Sequence, residues 1–209
     1  MEPEPVTTLP RGHHGLSRAE VCAAQRSRLL VGMVDAVAEL GYPATTVAVV
    51  LKRARISRQT FYEHFENKEH CFLAAFDASA DLFLTRMATA LGPAEDPVLL
   101  RLDRVFGSWL ESLAAAPGPG RAFLIEIYAA GYAAVSRRLE RQERFAQLVG
   151  EAVAHGGAWR GDLEPRFIGR ALVGAASTMV TARIDAGESA HLTELRDPLL
   201  AMARALLAS

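Results

Sequence analysis

Between residues 45 and 69 the chain gathers side chains of a kind that recognise nucleic acid. Arg58 and Gln59 open the segment Arg58-Gln59-Thr60-Phe61-Tyr62-Glu63-His64, and Thr46, Ser57 and Lys68 flank it. Arg can pair in bidentate fashion with a guanine edge and Gln with an adenine edge. Hydroxyl, phenol, imidazole and ammonium groups suit phosphate oxygens. This set does recognition rather than bond-making. The enzyme reading finds little support, because Gly-x-Ser-x-Gly, His-Glu-x-x-His, Gly-x-x-x-x-Gly-Lys and Gly-x-Gly-x-x-Gly do not occur. His64, His70 and Cys71 lie close together but lack zinc-finger spacing. No metal and no cofactor is expected.

Such residues work only on a rigid support that fits a groove. Two short helices joined by a tight turn, about 45–54 and 57–65, read as a helix-turn-helix with Val47, Val50, Leu51, Ile56, Phe61 and Phe65 buried. A recognition helix of about nine residues, roughly 13 Å long, enters a major groove about 12 Å wide. Arg58 and Gln59 stand at its N-terminus, where such helices meet base edges. Lys68 falls in the first turn of the next helix, where a phosphate meets a cation, free N–H groups and the positive dipole end together. Each residue also has a plainer reading. Ser57 and Asn67 cap helices, Tyr62 could be a core tyrosine, Arg58 and Lys68 could be solvated charges, and His64 could simply pack. Their joint spacing favours DNA.

Gly41-Tyr42, Thr45-Thr46-Val47, Ile56-Ser57, Thr60-Phe61-Tyr62, His64-Phe65 and Lys68-Glu69 together resemble the N-terminal signature of the TetR family of transcriptional regulators, over about residues 26–76. The resemblance implies that the third helix reads the operator and that Tyr62 and Lys68 hold phosphate. It also implies a four-helix dimer bundle from the last two helices and a ligand pocket enclosed by the middle ones. The implied function is a repressor released by a small-molecule inducer, with activation as the alternative. Family members usually have Gly in the turn and a small residue one turn earlier; this chain has Arg55 and Leu51. A left-handed Arg55 would cost about 1–2 kcal/mol, and Leu51 should push the two helices apart.

The rest of the chain is consistent with an all-α fold: an N-terminal three-helix helix-turn-helix domain followed by a six-helix ligand-binding and dimerisation domain. Half of the 209 residues are hydrophobic, enough for one sizeable core or two joined modules. Residues 1–16, with Pro3, Pro5, Pro10, Gly12 and Gly15, read as a flexible tail. Residues 17–66 form the DNA-binding domain and 67–209 the helical remainder, with no floppy linker between them. Ser17 and Glu20 form a capping box ahead of Leu29, Met33, Val37 and Leu40. Later helices are expected from Asn67, from Asp96-Pro97, over 121–130, from Ala133 to His155-Gly156-Gly157, from Glu164-Pro165, and from Asp197-Pro198 to about Leu207. The net charge is −1, yet residues 1–68 hold nine Lys/Arg against seven Asp/Glu. A mildly basic front on an acidic body permits DNA contact without proving it. The two cysteines, Cys22 and Cys71, make no disulfide framework; idle thiols are favoured over a redox switch. The start MEPEPVTTLP lacks a basic-then-apolar leader and no stretch reaches the ~20 apolar residues of a membrane span, so a cytoplasmic protein is expected.

Two further sites follow. Phe76, Phe83, Phe106, Trp109, Phe123 and Tyr128 supply aromatics for a pocket between the fourth and eighth helices, although such a set can equally be plain core. Glu126, inside an apolar run, either turns to solvent or meets a ligand, with Arg183 as an alternative partner. A homodimer is expected through Ile168, Leu172, Ala175, Ala176 and Met179 of the eighth helix against Leu199, Met202 and Leu206 of the ninth. The partners are then a near-palindromic operator in double-stranded DNA, an unknown inducer and a second copy, with no membrane.

Overall fold

A computed structural model of the chain describes residues 17–154 and 163–206. The expected tail, the helix stop at His155-Gly156-Gly157 and Leu207 lie outside them. Within the described residues every regular element is helical: α1 (Arg18–Leu40), α2 (Val47–Ala54), α3 (Arg58–His64), α4 (Lys68–Ala90), α5 (Val98–Ala115), α6 (Pro117–Gly120), α7 (Tyr132–Ala154), α8 (Pro165–Asp185) and α9 (Arg196–Leu206). Local chemistry sets most starts. Ser17 and Glu20 make both bonds of the capping box, and the side chains of Thr46, Ser57 and Asn67 each accept a backbone N–H of the following turn. Gly41, at φ 79°, ends α1 in a conformation that favours glycine.

The stretch expected as one α-helix over 121–130 is different. The Pro117-Gly118-Pro119-Gly120 turn is itself helical, and it runs on as a π-helical segment, Arg121–Ile125, then a 3-10 segment, Glu126–Ala130. The Glu126 N–H reaches back to the Arg121 carbonyl, the wider step of a π turn. A second 3-10 segment, Ser189–Leu195, precedes α9 and was not foreseen.

Two apolar clusters organise the chain. One joins α1, α2 and α3 to the first half of α4 (Cys71, Phe72, Ala75, Phe76) and to Ala122, Phe123, Ile127 and Ala130. The other joins α5, α7, α8 and α9 to Met87 near the end of α4. Chain connectivity changes at residues 66–67, but the packing changes midway along α4. Burial pushes the Cys71 thiol up to about 12, so it stays protonated.

α7 and α8 lie backbone to backbone. A Cβ on Gly169 would overlap the Ala146 carbonyl oxygen and stand 2.8 Å from the Gly150 nitrogen. This contact corrects the expected dimer set. Ile168, Leu172 and Ala176 face inward and are fully or almost fully buried in their own subunit, as is Leu199 of α9. Ala175, Met202 and Leu206 are partly covered, and Met179 is exposed. α9 is held to α5 by Arg196, which donates to both oxygens of Asp103 at 2.6 and 2.7 Å. Those bonds hold the Asp103 carboxyl below its ordinary range, so its stabilising contribution is present above the usual aspartate pKa and fades as pH falls through the lowered one.

Arg55 has φ 54° and ψ 49°, and is the only non-glycine at positive φ among the described residues. Arg55→Gly should therefore raise stability by about 1 kcal/mol, seen as a melting midpoint roughly 2–4 °C higher. A midpoint that does not rise would show that this turn carries no strain. Gly169→Ala should instead lower stability by about 1–3 kcal/mol, because backbone rather than a flexible side chain blocks the new methyl. Urea denaturation would measure it, and a loss near zero would mean that the two helices can part freely.

Candidate nucleic-acid interface and ligand chamber

α3 presents one apolar and one polar side because its residues alternate at helical spacing. Phe61 is fully buried against Phe65 at 5.7 Å, which seats the helix. Ser57, Arg58, Gln59 and Tyr62 then face outward, with Thr60 and His64 half-buried. The Ser57 and Thr60 hydroxyls lie 2.9 Å apart, and Ser57 Oγ also accepts the Thr60 N–H. The Gln59 amide donates to Glu63 at 3.2 Å. That bond leaves Gln59 its carbonyl oxygen and a second amide hydrogen, the two groups an adenine edge requires. Arg58 is exposed and enters no ion pair among the described residues. The Tyr62 ring leans edge-on against Phe61 yet is 51% exposed, so it is not a core tyrosine. His64 tilts against Phe65. Thr46 is exposed at the start of α2, where it caps that helix. Arg26 of α1, which the sequence reading missed, lies over the Phe65 ring at 4.8 Å.

Lys68, half-buried, is engaged within the chain itself. Its Nζ donates to the Tyr42 carbonyl at 2.9 Å and sits 3.9 Å from the centre of the Tyr42 ring. Burial holds its pKa below the ordinary lysine value. The same residue is held from its other side, because the Tyr42 N–H donates to Glu126 Oε2 at 2.9 Å. Here the structure corrects the sequence reading of Glu126. Its carboxylate faces neither solvent nor a pocket but the turn between α1 and α2, with Arg121 at 3.9 Å. Arg183 is likewise elsewhere, paired with Glu188 and Glu194. Tyr128 is 56% exposed and outside the chamber described next.

Phe76, Phe83, Phe106, Trp109 and Phe123 do come together, around a cavity of about 80 Å3 between α4, α5, α7 and α8. Gly120 and Leu124 complete the wall where the π-helical segment passes. Five polar residues also line it, and the sequence singled out none of them: Ser79, Arg138, Arg141, Gln142 and Ser177. Arg141 is compensated by Asp77 and Asp81. Among the described residues Arg138 donates only to uncharged partners, Gln142 and Ser177, each at 3.2 Å. Helical spacing on the polar-looking α7 gave no signal that this side faces inward.

Residues 34–75 match the model for the bacterial regulatory proteins of the tetR family. The match falls on α2 and α3, the two helices of the helix-turn-helix, with the flanking ends of α1 and α4. The match covers 42 of the 209 residues, and over that N-terminal segment the chain is similar to the tetR family of regulators. No curated protein matches it in sequence. Among solved structures, the fatty acid degradation regulator FadR of Bacillus halodurans superposes with a TM-score of 0.76 at 21% identity, over 84% of this chain and 96% of that one. FadR of Bacillus subtilis, in complex with stearoyl-CoA, gives 0.73 at 17% identity over 84% and 96%. Reduced NemR of E. coli gives 0.71 at 17% identity over 88% and 98%. These likenesses establish the fold. Among the described residues, no helix is long and apolar enough to cross a membrane.

Gln59→Ala should cost about 1–3 kcal/mol on the operator and almost nothing on scrambled duplex, without changing the melting midpoint. Lys68→Ala should weaken both DNAs alike, lower the salt slope by about one per contact, and also lower the midpoint, because the Tyr42 carbonyl loses its donor. Anisotropy titrations at several salt concentrations, beside thermal melts, separate the two. Equal operator-to-scrambled ratios for both variants would refute the division between base and phosphate contacts.

Proposed function

We propose that this chain is a homodimeric repressor of the TetR type, lifted from a near-palindromic operator by a small molecule that enters the aromatic chamber. One observation carries the reading: the short run 120–126 is chamber wall at Gly120, Phe123 and Leu124, and at Glu126 is a partner of the DNA-binding domain. The cavity of about 80 Å3 is far below the roughly 300–1,000 Å3 of drug-sized sites. A larger ligand must therefore push the wall outward, and it binds the widened state far better than the closed one. Such differential affinity is what moves an equilibrium. A π segment yields more readily than an α-helix, and displacing it would draw Glu126 from Tyr42 and free the turn that sets α2 and α3. The stearoyl-CoA in complex with the Bacillus subtilis FadR carries a long apolar acyl chain, the kind of group such a chamber would take.

The dimer surface we assign is the outward side of α8. Phe167, Ala171, Thr178 and Met179 are exposed there, and a Cβ on Gly174 would meet nothing within 4 Å. Small residues let a second copy approach closely, and two-fold pairing is the commonest solution. The two recognition helices would then address half-sites about 34 Å apart or slightly more.

Light scattering at micromolar concentration should give twice the 22.6 kDa of one chain, and Gly174→Arg should return it to one. A monomeric wild type refutes the dimer. A compound that raises the melting midpoint should weaken operator binding by roughly 5–150-fold, the usual span of allosteric coupling. In Glu126→Ala the compound should still bind but shift operator affinity much less. If stabilising compounds leave operator affinity unchanged, the release mechanism is wrong.

A further inference from the structure

Within that reading of the chamber as the ligand site, we propose that Arg138 is the receptor for an anionic head group, and that the ligand is an amphipath with an apolar body and one carboxylate or phosphate. Burying a guanidinium is costly unless a counter-charge and a full set of acceptors meet it. Arg141, one turn away on α7, has both, in Asp77 and Asp81. Arg138 has neither. It pairs with no carboxylate among the described residues, its Nη groups meet only the neutral Gln142 and Ser177, and its buried Nε–H has no acceptor. The Tyr128 ring, 5.4 Å from the guanidinium carbon, covers the cation from outside without neutralising it.

The surroundings set the rest of the ligand. Beyond the polar edge, the wall is Phe76, Phe83, Phe106, Trp109 and Phe145. A flat or extended apolar group placed there puts its end at Arg138. A carboxylate or phosphate at that point takes the Nε–H and a neighbouring Nη–H as a side-on fork, the geometry that suits arginine better than lysine. A cationic head would meet an uncompensated positive charge and is excluded. A neutral hydroxyl could accept one bond but leaves the charge unpaired.

The test uses the full-length protein and four probes with one decyl chain: decanoate, decyl phosphate, decanol and decyltrimethylammonium. Calorimetric titration gives affinities, and the fluorescence of Trp109 in the Trp159→Phe variant reports entry into the chamber. Decanoate or decyl phosphate should bind at least about tenfold more tightly than decanol, the fold-change of one charge-assisted bond, and the ammonium probe should bind least. The tighter of the two anions identifies the head group. Arg138→Gln should abolish the preference over decanol, and Arg138→Lys should keep part of it. Equal binding of anion and alcohol by the wild type, or an anion preference that survives in Arg138→Gln, overturns the assignment while leaving the chamber a ligand site. If no probe perturbs Trp109, the chamber reading falls and this proposal with it. The wild-type comparison decides even if Arg138→Gln folds poorly.

Discussion

The backbone of Tyr42 is where the two halves of this molecule meet. Its carbonyl accepts from Lys68 at the start of α4, and its N–H donates to Glu126 at the end of the π-helical segment. The Tyr42 ring is buried against Phe72 at 4.9 Å, so the turn between α1 and α2 cannot drift while both bonds stand. Two charged side chains of opposite sign thus hold one residue's backbone from both sides. Bonds to charged groups are the stronger kind, and partial burial strengthens them further. Position and tilt of α2 and α3 depend on that turn, and so does the presentation of Arg58 and Gln59.

The same arrangement explains why the segment 117–130 is not a regular helix. It must serve two partners at once. Ala122 and Ile127 are fully buried with the DNA-binding cluster, while Phe123 and Leu124 border the chamber. Phe123 does both, touching Phe72 at 5.6 Å and Phe76 at 5.4 Å. An α-helical register turns 100° per residue and would point one of these sets away; the wider π turn followed by a tighter 3-10 turn lets both be met. α4 is shared in the same manner, its first half packed in one cluster and Met87 in the other. Two cores are thus joined through one long helix and one irregular helical segment.

Electrostatics divides along the same line. In the helix-turn-helix Arg58 is exposed and enters no ion pair among the described residues, while Arg53 pairs with Glu39 and Lys68 is held by the Tyr42 carbonyl. In the C-terminal body most arginines are already answered by carboxylates: Arg141 by Asp77 and Asp81, Arg170 by Glu143, Arg196 by Asp103. Among the described residues Arg101 and Arg138 both lack a carboxylate and leave a buried Nε–H without an acceptor, and of the two only Arg138 borders the chamber.

What the sequence determined by itself was everything governed by near neighbours along the chain. Helix starts at Ser17, Thr46, Ser57 and Asn67, the glycine stop at Gly41, the left-handed Arg55 and the buried face of α3 all follow from bonds or contacts within a few residues. The aromatic residues of the chamber were legible too, because large apolar side chains at helical spacing must go inward. Tertiary structure alone decided which inward face meets which partner. Glu126 and Lys68 lie far from residue 42 in sequence, and no periodicity joins them to it. Arg138 and Gln142 look like the solvent side of α7 until α4 and α8 close over them. The stripe Ile168, Leu172 and Ala176 looked like a dimer seam, yet it serves its own core, because glycines at 150 and 169 bring α7 against that side of α8. An amphipathic helix announces that it has a face to bury; the identity of the covering surface is a property of the packed molecule.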